Sequence, residues 1–341
     1  MQTNEKKVLF SGIQPSGRPH IGNYFGAMKQ FVEIQESAVA DTCYFMIADY
    51  HSLNTIQDSS VLRENIINLA IDYLAIGLDP AKSVIFKQSD ISEHTELAWI
   101  FDTITTMPYL ARAHAYKDAE AKNKEVSVGL FNYPMLMAAD ILLYDTDIVP
   151  VGADQKQHVE ITRDTAEKFN RIYGEVFKLP EAKILPDVAV VPGTDGRKMS
   201  KSYGNTIPLF ATDEEIEKAV MSIVTDSEKA EESMAMEQVS VQKKPLVFYR
   251  PANVYQIHKL FRPESELAAL YQSKAGKYKD LKEALIADIK KFVTPLRERR
   301  AAFAGDTEKV LSVLKSGATR AKAVASQKMD LVREKVGVKL Y

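Results

Sequence analysis

The run Val8-Leu9-Phe10-Ser11-Gly12-Ile13-Gln14-Pro15-Ser16-Gly17-Arg18-Pro19-His20-Ile21-Gly22-Asn23 decides the fold. Residues 8–11 are short, apolar and followed by turn formers, the pattern of a buried strand. Three glycines and two prolines then break any regular element, and after Gly22 the apolar residues Phe25, Met28 and Val32 recur at helical spacing. A strand, a glycine-bearing loop and a helix in that order form the first unit of a parallel sheet. Further short strands are expected at residues 43–48, 84–87, 148–151 and 188–191. Between them lie helical stretches, such as Ile66, Ile67, Leu69, Ala70, Tyr73 and Leu74 before the stop Gly77-Leu78-Asp79-Pro80. Alternating units of this kind imply an α/β fold, a doubly wound parallel sheet that takes ligands at the carboxyl ends of its strands.

After Pro208 the strand signals fade. Asp213-Glu214-Glu215 is an acidic helix start, and Ala/Leu/Lys/Glu-rich patterns run from Glu264 to the end. The expected organisation is a Rossmann-type catalytic domain over residues 1–208, with a helical insertion around 90–145, and a C-terminal all-helical domain over 209–341. The 341 residues, 45% hydrophobic and 26% charged, are enough for two globular domains with substantial cores. The first seven residues are polar and the apolar run at 8–10 is too short for a secretory signal, so secretion is not expected. No apolar run approaches the roughly 18 residues of a bilayer span, and neither a membrane nor DNA is an expected partner. The single cysteine, Cys43, lies in an apolar run and can form neither an internal disulfide nor a cysteine metal cluster. A buried thiol in a reducing, cytoplasmic compartment fits.

Net charge is −2, but residues 271–341 hold 17 Lys and Arg against 8 Asp and Glu. Positive charge gathered at one end suits a polyanion, because neutralised phosphates release counterions. A solvated helical surface accounts for the same charge equally well.

Two loops carry chemistry. In the first, His20 and Asn23 offer donors at a helix start, where exposed N–H groups favour phosphate, and the spacing matches neither a Walker A loop nor G-x-G-x-x-G. The second, Gly196-Arg197-Lys198-Met199-Ser200-Lys201-Ser202-Tyr203-Gly204-Asn205, sets two flexible ammonium groups beside hydroxyls, which can follow a moving pyrophosphate. Alone, a K-x-x-K loop is ordinarily solvated surface. A third feature is Asp140, a lone carboxylate in the apolar block Tyr133-Pro134-Met135-Leu136-Met137-Ala138-Ala139-Asp140-Ile141-Leu142-Leu143-Tyr144. A partnered core acid and a ligand acceptor are both open at this point.

His-Ile-Gly-Asn after the first strand resembles the HIGH signature, and Lys198 to Ser202 reproduces the KMSKS signature, of class I aminoacyl-tRNA synthetases. With Gly12 to Ser16, Tyr133 to Tyr144 and Val151-Gly152-Ala153-Asp154-Gln155, the chain resembles the bacterial tryptophanyl-tRNA synthetases over residues 8–226 and more weakly beyond. The resemblance implies ATP-dependent activation of L-tryptophan, release of pyrophosphate and transfer to tRNA(Trp) by a homodimer, with Mg2+ held mainly by the phosphates. It implies catalytic roles for His20, Asn23, Lys198 and Lys201. For ATP it implies Gln14, Pro15, Ser16, Gly22, Asn23, Gly152, Ala153, Asp154, Val190, Lys198, Met199, Ser200, Lys201 and Ser202. Asp140 would accept the indole N–H, Phe10, Met137 and Ile141 would pack the rings, Tyr133 would hold the ammonium, and Gln155 would complete the amino-acid site. Ala153 stands where many relatives have Glu, and Lys117 is the nearest match to a family lysine before the substrate helix. By the same resemblance the residues after 208 face the anticodon. No large inserted editing domain is present in the sequence, which fits the bulkiest amino acid: pocket size and one obligatory hydrogen bond reject competitors.

Three other readings share parts of this pattern. A tyrosyl-tRNA synthetase also places an acid in its pocket; a small-molecule nucleotidyltransferase shares an HxGH-like loop but lacks KMSKS and the basic tail; an inactive RNA-binding paralogue is opposed by the intact His20, Lys198 and Lys201. His51, His94, His114 and His158 are too dispersed for a metal pattern and read as ordinary polar histidines, with His51 near the substrate by family analogy.

Overall fold

The computed structural model describes residues 6–341 apart from 38, 122–124, 153–155, 185–190 and 225–251. Among the described residues β1 (Val8–Ile13), β2 (Thr42–Ile47), β3 (Ser83–Lys87), β4 (Ile148–Val151) and β5 (Glu181–Ile184) form one sheet in the order β3-β2-β1-β4-β5. Every pairing is parallel, with Val8 opposite Thr42, Cys43 opposite Ser83, Leu9 opposite Ile148 and Ile148 opposite Glu181. The winding reverses between β1 and β4, so their carboxyl ends, at Ile13 and Val151, border the crevice where such a sheet takes its ligand.

The central strands read as unbroken apolar runs because helices cover both faces; Leu9, Phe45 and Ile47 are wholly buried. The helix Ser59–Ile76 starts where Asp58 accepts the N–H groups of Ser60 and Val61, and stops at Gly77, whose φ of 112° only glycine adopts freely. Residues 188–190 of the expected fifth strand lie outside the described residues. Val191 is in a loop, where it accepts a hydrogen bond from the backbone N–H of Met199. The fifth strand is Glu181-Ala182-Lys183-Ile184, an edge strand with a charged residue at every second position. Charge on an edge blunts strand-to-strand aggregation but erases the apolar signal by which a strand is recognised.

The chain forms two compact units that are discontinuous in sequence: Met1–Gly17 with Phe31–Asp187 and Ala302–Tyr341, and Arg18–Gln30 with Val188–Ala301. A division at 208 into successive segments does not capture this. In the first unit the last helix, Thr307–Lys335, lies against β3 so tightly that a Cβ on Gly317 would fall 1.8 Å from the carbonyl oxygen of Ile85. Arg320 donates to the carbonyls of Pro80 and Ser83, Arg333 pairs with Glu96, and Lys328 pairs with Asp145. Several of the tail's cations therefore anchor it within the first unit, Arg320 at the start of β3, Arg333 on the helix Glu93–Ile104 and Lys328 on the turn at Asp145.

The second unit has its own core, in which Ile21, Phe25, Met199 and Ile207 pack with Leu285 and Ile289 of the helix Tyr278–Ala304. Its helix Asp213–Met221 begins with a reciprocal cap, Thr212 accepting the N–H of Glu215 and Glu215 that of Thr212. No helix among the described residues is long and apolar enough to cross a membrane.

Candidate active site

In the second unit the two signature loops share one framework. The first helical residues, Ile21–Asn23, are capped by His20: its Nδ1 accepts the backbone N–H of Asn23 at 3.2 Å, while Asn23 Oδ1 accepts the backbone N–H of His20 at 3.1 Å. A backbone N–H only donates, so Nδ1 is the unprotonated nitrogen and Nε2 carries the ring proton. Burial, and then the ammonium of Lys201, push the His20 pKa down to about 4, so the ring is a neutral donor at physiological pH.

The segment ahead of the helix is tied to residues 207–209. Ile21 N–H donates to Ile207, Leu209 N–H to Pro19, and Arg18 forms a forked pair with Glu215. Gly22 is where the loops meet: a Cβ there would stand 2.9 Å from His20 Nδ1 and 3.5 Å from Met199 Cβ. Met199 points inward and is 4% exposed, whereas Lys198 and Lys201 on either side are exposed. Met199 thus anchors the loop between two exposed lysines.

Asn205, missed as a site residue, buckles the second loop. Its Oδ1 accepts the N–H of Ser200, and its Nδ2 donates to Asp195 and to the carbonyl of Lys198. A side chain at Gly193 would collide with Asn205, its Cβ coming within 2.2 Å of Nδ2. Ser202 is exposed in the short turn Lys201–Tyr203.

In the first unit Asp140 lies on the helix Val128–Leu142 and is 1% exposed. Its Oδ1 accepts from His94 Nδ1 at 2.6 Å and Gln88 Nε2 at 2.8 Å, and its Oδ2 accepts from His51 Nε2 at 2.8 Å. Burial alone would raise its pKa, but the hydrogen bonds from His51 and His94 overcome it and hold the carboxyl down at about 2. His51 follows β2, Gln88 follows β3 and His94 opens the helix Glu93–Ile104, so the carboxyl ends of two strands meet the substrate-helix candidate here. His94 and Gln88 were missed in the sequence. No local pattern marks them, because their partner is 46 and 52 residues away.

Tyr133, two turns before Asp140, is half-buried, shares a hydrogen bond with His158 Nε2 and packs its ring edge-on to His51 at 6.3 Å. Burial raises its phenol to about 12. Phe10 stacks on Tyr144 at 5.4 Å, Ile141 is buried beside them and Met137 is half-buried. At the crevice, Gln14 and Ser16 are exposed and Pro15 is buried after β1, and Gly152 is exposed after β4. Ala153, Asp154, Gln155 and Val190 lie outside the described residues.

A family model described as tRNA synthetases class I (W and Y) matches residues 1–294. A tryptophan–tRNA ligase of Fusobacterium nucleatum is 49% identical, covering 97% of this chain and 98% of its own. A tryptophanyl-tRNA synthetase of Campylobacter jejuni, solved with ADP and tryptophan, is 44% identical over 97% of this chain and 99% of its own, with a TM-score of 0.85. A tyrosyl-tRNA synthetase of Archaeoglobus fulgidus shares the fold at 21% identity and a TM-score of 0.64. A sheet wound 3-2-1-4-5, with HIGH-like and KMSKS segments packed on one core, thus defines a class I aminoacyl-tRNA synthetase. Within that class, the chain belongs to the tryptophanyl-tRNA synthetases. It activates tryptophan with ATP and transfers it to tRNA.

Proposed function

We propose that Asp140 selects tryptophan and that His20, Asn23, Lys198 and Lys201 act together on one triphosphate. The observation that carries the triphosphate role is the packing of Gly22 on Met199, which sets a neutral Nε2–H donor and two exposed ammonium groups in one unit. The tryptophan carboxylate attacks the α-phosphorus of ATP in line, and the bond to pyrophosphate breaks. A terminal ribose hydroxyl of tRNA(Trp) then attacks the acyl carbon and AMP leaves. No side-chain nucleophile is needed; catalysis is positioning and charge stabilisation.

His20 Nε2–H donates to a phosphate oxygen without a change of protonation. Asn23 and Gln14 add donors, and Lys198 and Lys201 neutralise the departing pyrophosphate. Asp154 accepts ribose hydroxyls, with Gly152 and Val190 beside the nucleotide. Among the described residues no cluster of carboxylate, histidine and cysteine ligands could hold a metal ion, and the phosphate-side groups are donors and cations. That donor set fits an Mg2+ ion carried by the phosphates, which would neutralise their charge.

Asp140 accepts the indole N–H, Phe10, Met137 and Ile141 pack around the rings, and Tyr133 and Gln155 hold the amino-acid end. The helical residues after 208 read the anticodon. The enzyme works in the cytoplasm as a homodimer, and Leu53, Trp99, Met107 and Val128, between 50% and 82% exposed, supply the apolar face. Leu53 and Val128 are brought together where Gly129 meets Asn54.

Tryptophan-dependent ATP–pyrophosphate exchange tests the assignment of Asp140. In Asp140→Ala the KM for tryptophan should rise by roughly a hundredfold, since the variant loses a hydrogen bond to a charged acceptor and leaves its buried partners unpaired. The KM for ATP should hold. An unchanged tryptophan KM would remove Asp140 from the pocket.

A further inference from the structure

Asp140 is supported by a chain of buried polar groups that the reaction itself does not require. Tyr144 Oη bonds His94 Nε2 at 2.9 Å, and His94 Nδ1 bonds Asp140 Oδ1 at 2.6 Å. Tyr144 is fixed by the rings of Phe10, Tyr44 and Phe86, with centroids 4.6–5.8 Å away. His94 is wholly buried.

The amide of Gln88 has only one allowed orientation. The backbone N–H of Tyr50 donates to its Oε1, so Nε2 must face Asp140. With His94 in the tautomer that protonates Nδ1, all three groups around the carboxylate are donors. An ionised carboxylate offers about four acceptor directions. Two are used on Oδ1 and one on Oδ2, leaving one on Oδ2 among the described residues.

From this geometry we infer that His94, held by Tyr144, together with Gln88, is a positioning residue for amino-acid selection: it fixes Asp140 as an acceptor-only carboxylate with a single open direction, which only a ligand with a ring donor, such as the indole N–H, satisfies. The inference rests on the reading of Asp140 as the indole acceptor. His94 does not touch the substrate; it acts through the carboxylate. An aromatic amino acid with no ring donor would leave that last direction unsatisfied in a buried site, which is costly.

The experiment compares tryptophan with β-(3-benzothienyl)alanine, in which sulfur replaces the ring N–H, as substrates for ATP–pyrophosphate exchange by the full-length enzyme. In His94→Leu the KM for tryptophan should rise roughly ten- to hundredfold, the range expected for a weakened charged hydrogen bond. The KM values for the analogue and for ATP, and kcat at saturation, should stay near those of the parent. The rise in tryptophan KM on acidification should begin at a higher pH than in the parent, because one of the donors that keeps Asp140 ionised is gone. His94→Asn, whose amide N–H overlays Nδ1, should recover most of the preference for tryptophan; His94→Gln, whose amide overlays Nε2, should not. This pair also decides the matter if leucine at 94 prevents folding.

An unchanged preference in both His94→Leu and His94→Gln would overturn the inference, as would a parallel loss for tryptophan, analogue and ATP. Asp140→Asn separates the two levels. If it keeps the preference for tryptophan, the reading of Asp140 falls; if it loses the preference while the His94 variants do not, that reading stands and only the role of His94 falls.

Discussion

His20 caps the first helical turn with one ring nitrogen and presents a proton with the other, and its pKa shift makes this testable. In the unfolded chain the ring titrates near its ordinary value of 6.5, while in the folded chain it titrates at about 4. Between these values the unfolded state binds more protons, so the stability present above pH 6.5 is lost as pH falls towards 4. The loss is at most ~3 kcal/mol from this group. His20→Asn keeps a capping side chain without the titration. Its melting temperature should therefore fall less between pH 7 and pH 4.5 than that of the parent, and equal falls would refute the shift. His20, Asn23, Lys198 and Lys201 are legible as candidates because each signature is contiguous in sequence. The support of Asp140 was not: three donors arrive from three separate elements, and nothing near His94 or Gln88 in the chain marks them as partners of an acid.

Strands β1 to β4 were readable because burial on both faces demands apolar runs, and β5 was not, because the edge position admits Glu181 and Lys183. The tail was read correctly as helical, but its packing was hidden. Basic composition suggests solvent and polyanions, whereas Arg320, Lys328 and Arg333 are used within the first unit, against Pro80 and Ser83, Asp145 and Glu96. The residue that permits this contact is a single glycine. Gly317→Val would force its side chain into the backbone of β3 at Ile85, and should lower stability by ~3 kcal/mol or more. Thermal unfolding checks it; an unchanged melting temperature would mean that the helix does not approach the strand this closely.

The proposed homodimer calls for exposed apolar surface on each chain. Trp99 is the only tryptophan in the sequence and is 71% exposed, as other apolar side chains of the same unit are. Trp99→Glu should shift the enzyme from dimer to monomer in sedimentation analysis at micromolar concentration, while a stable dimer would place the interface elsewhere. The same substitution should leave the buried Asp140 network folded, since Trp99 is exposed. His20 and the KMSKS lysines are proposed to serve one triphosphate, and a double-mutant cycle on adenylate formation measures that directly. His20→Asn and Lys201→Ala should each slow exchange, and the combined variant should be slowed by clearly less than the product of the two single effects. Effects that multiply independently would contradict the account.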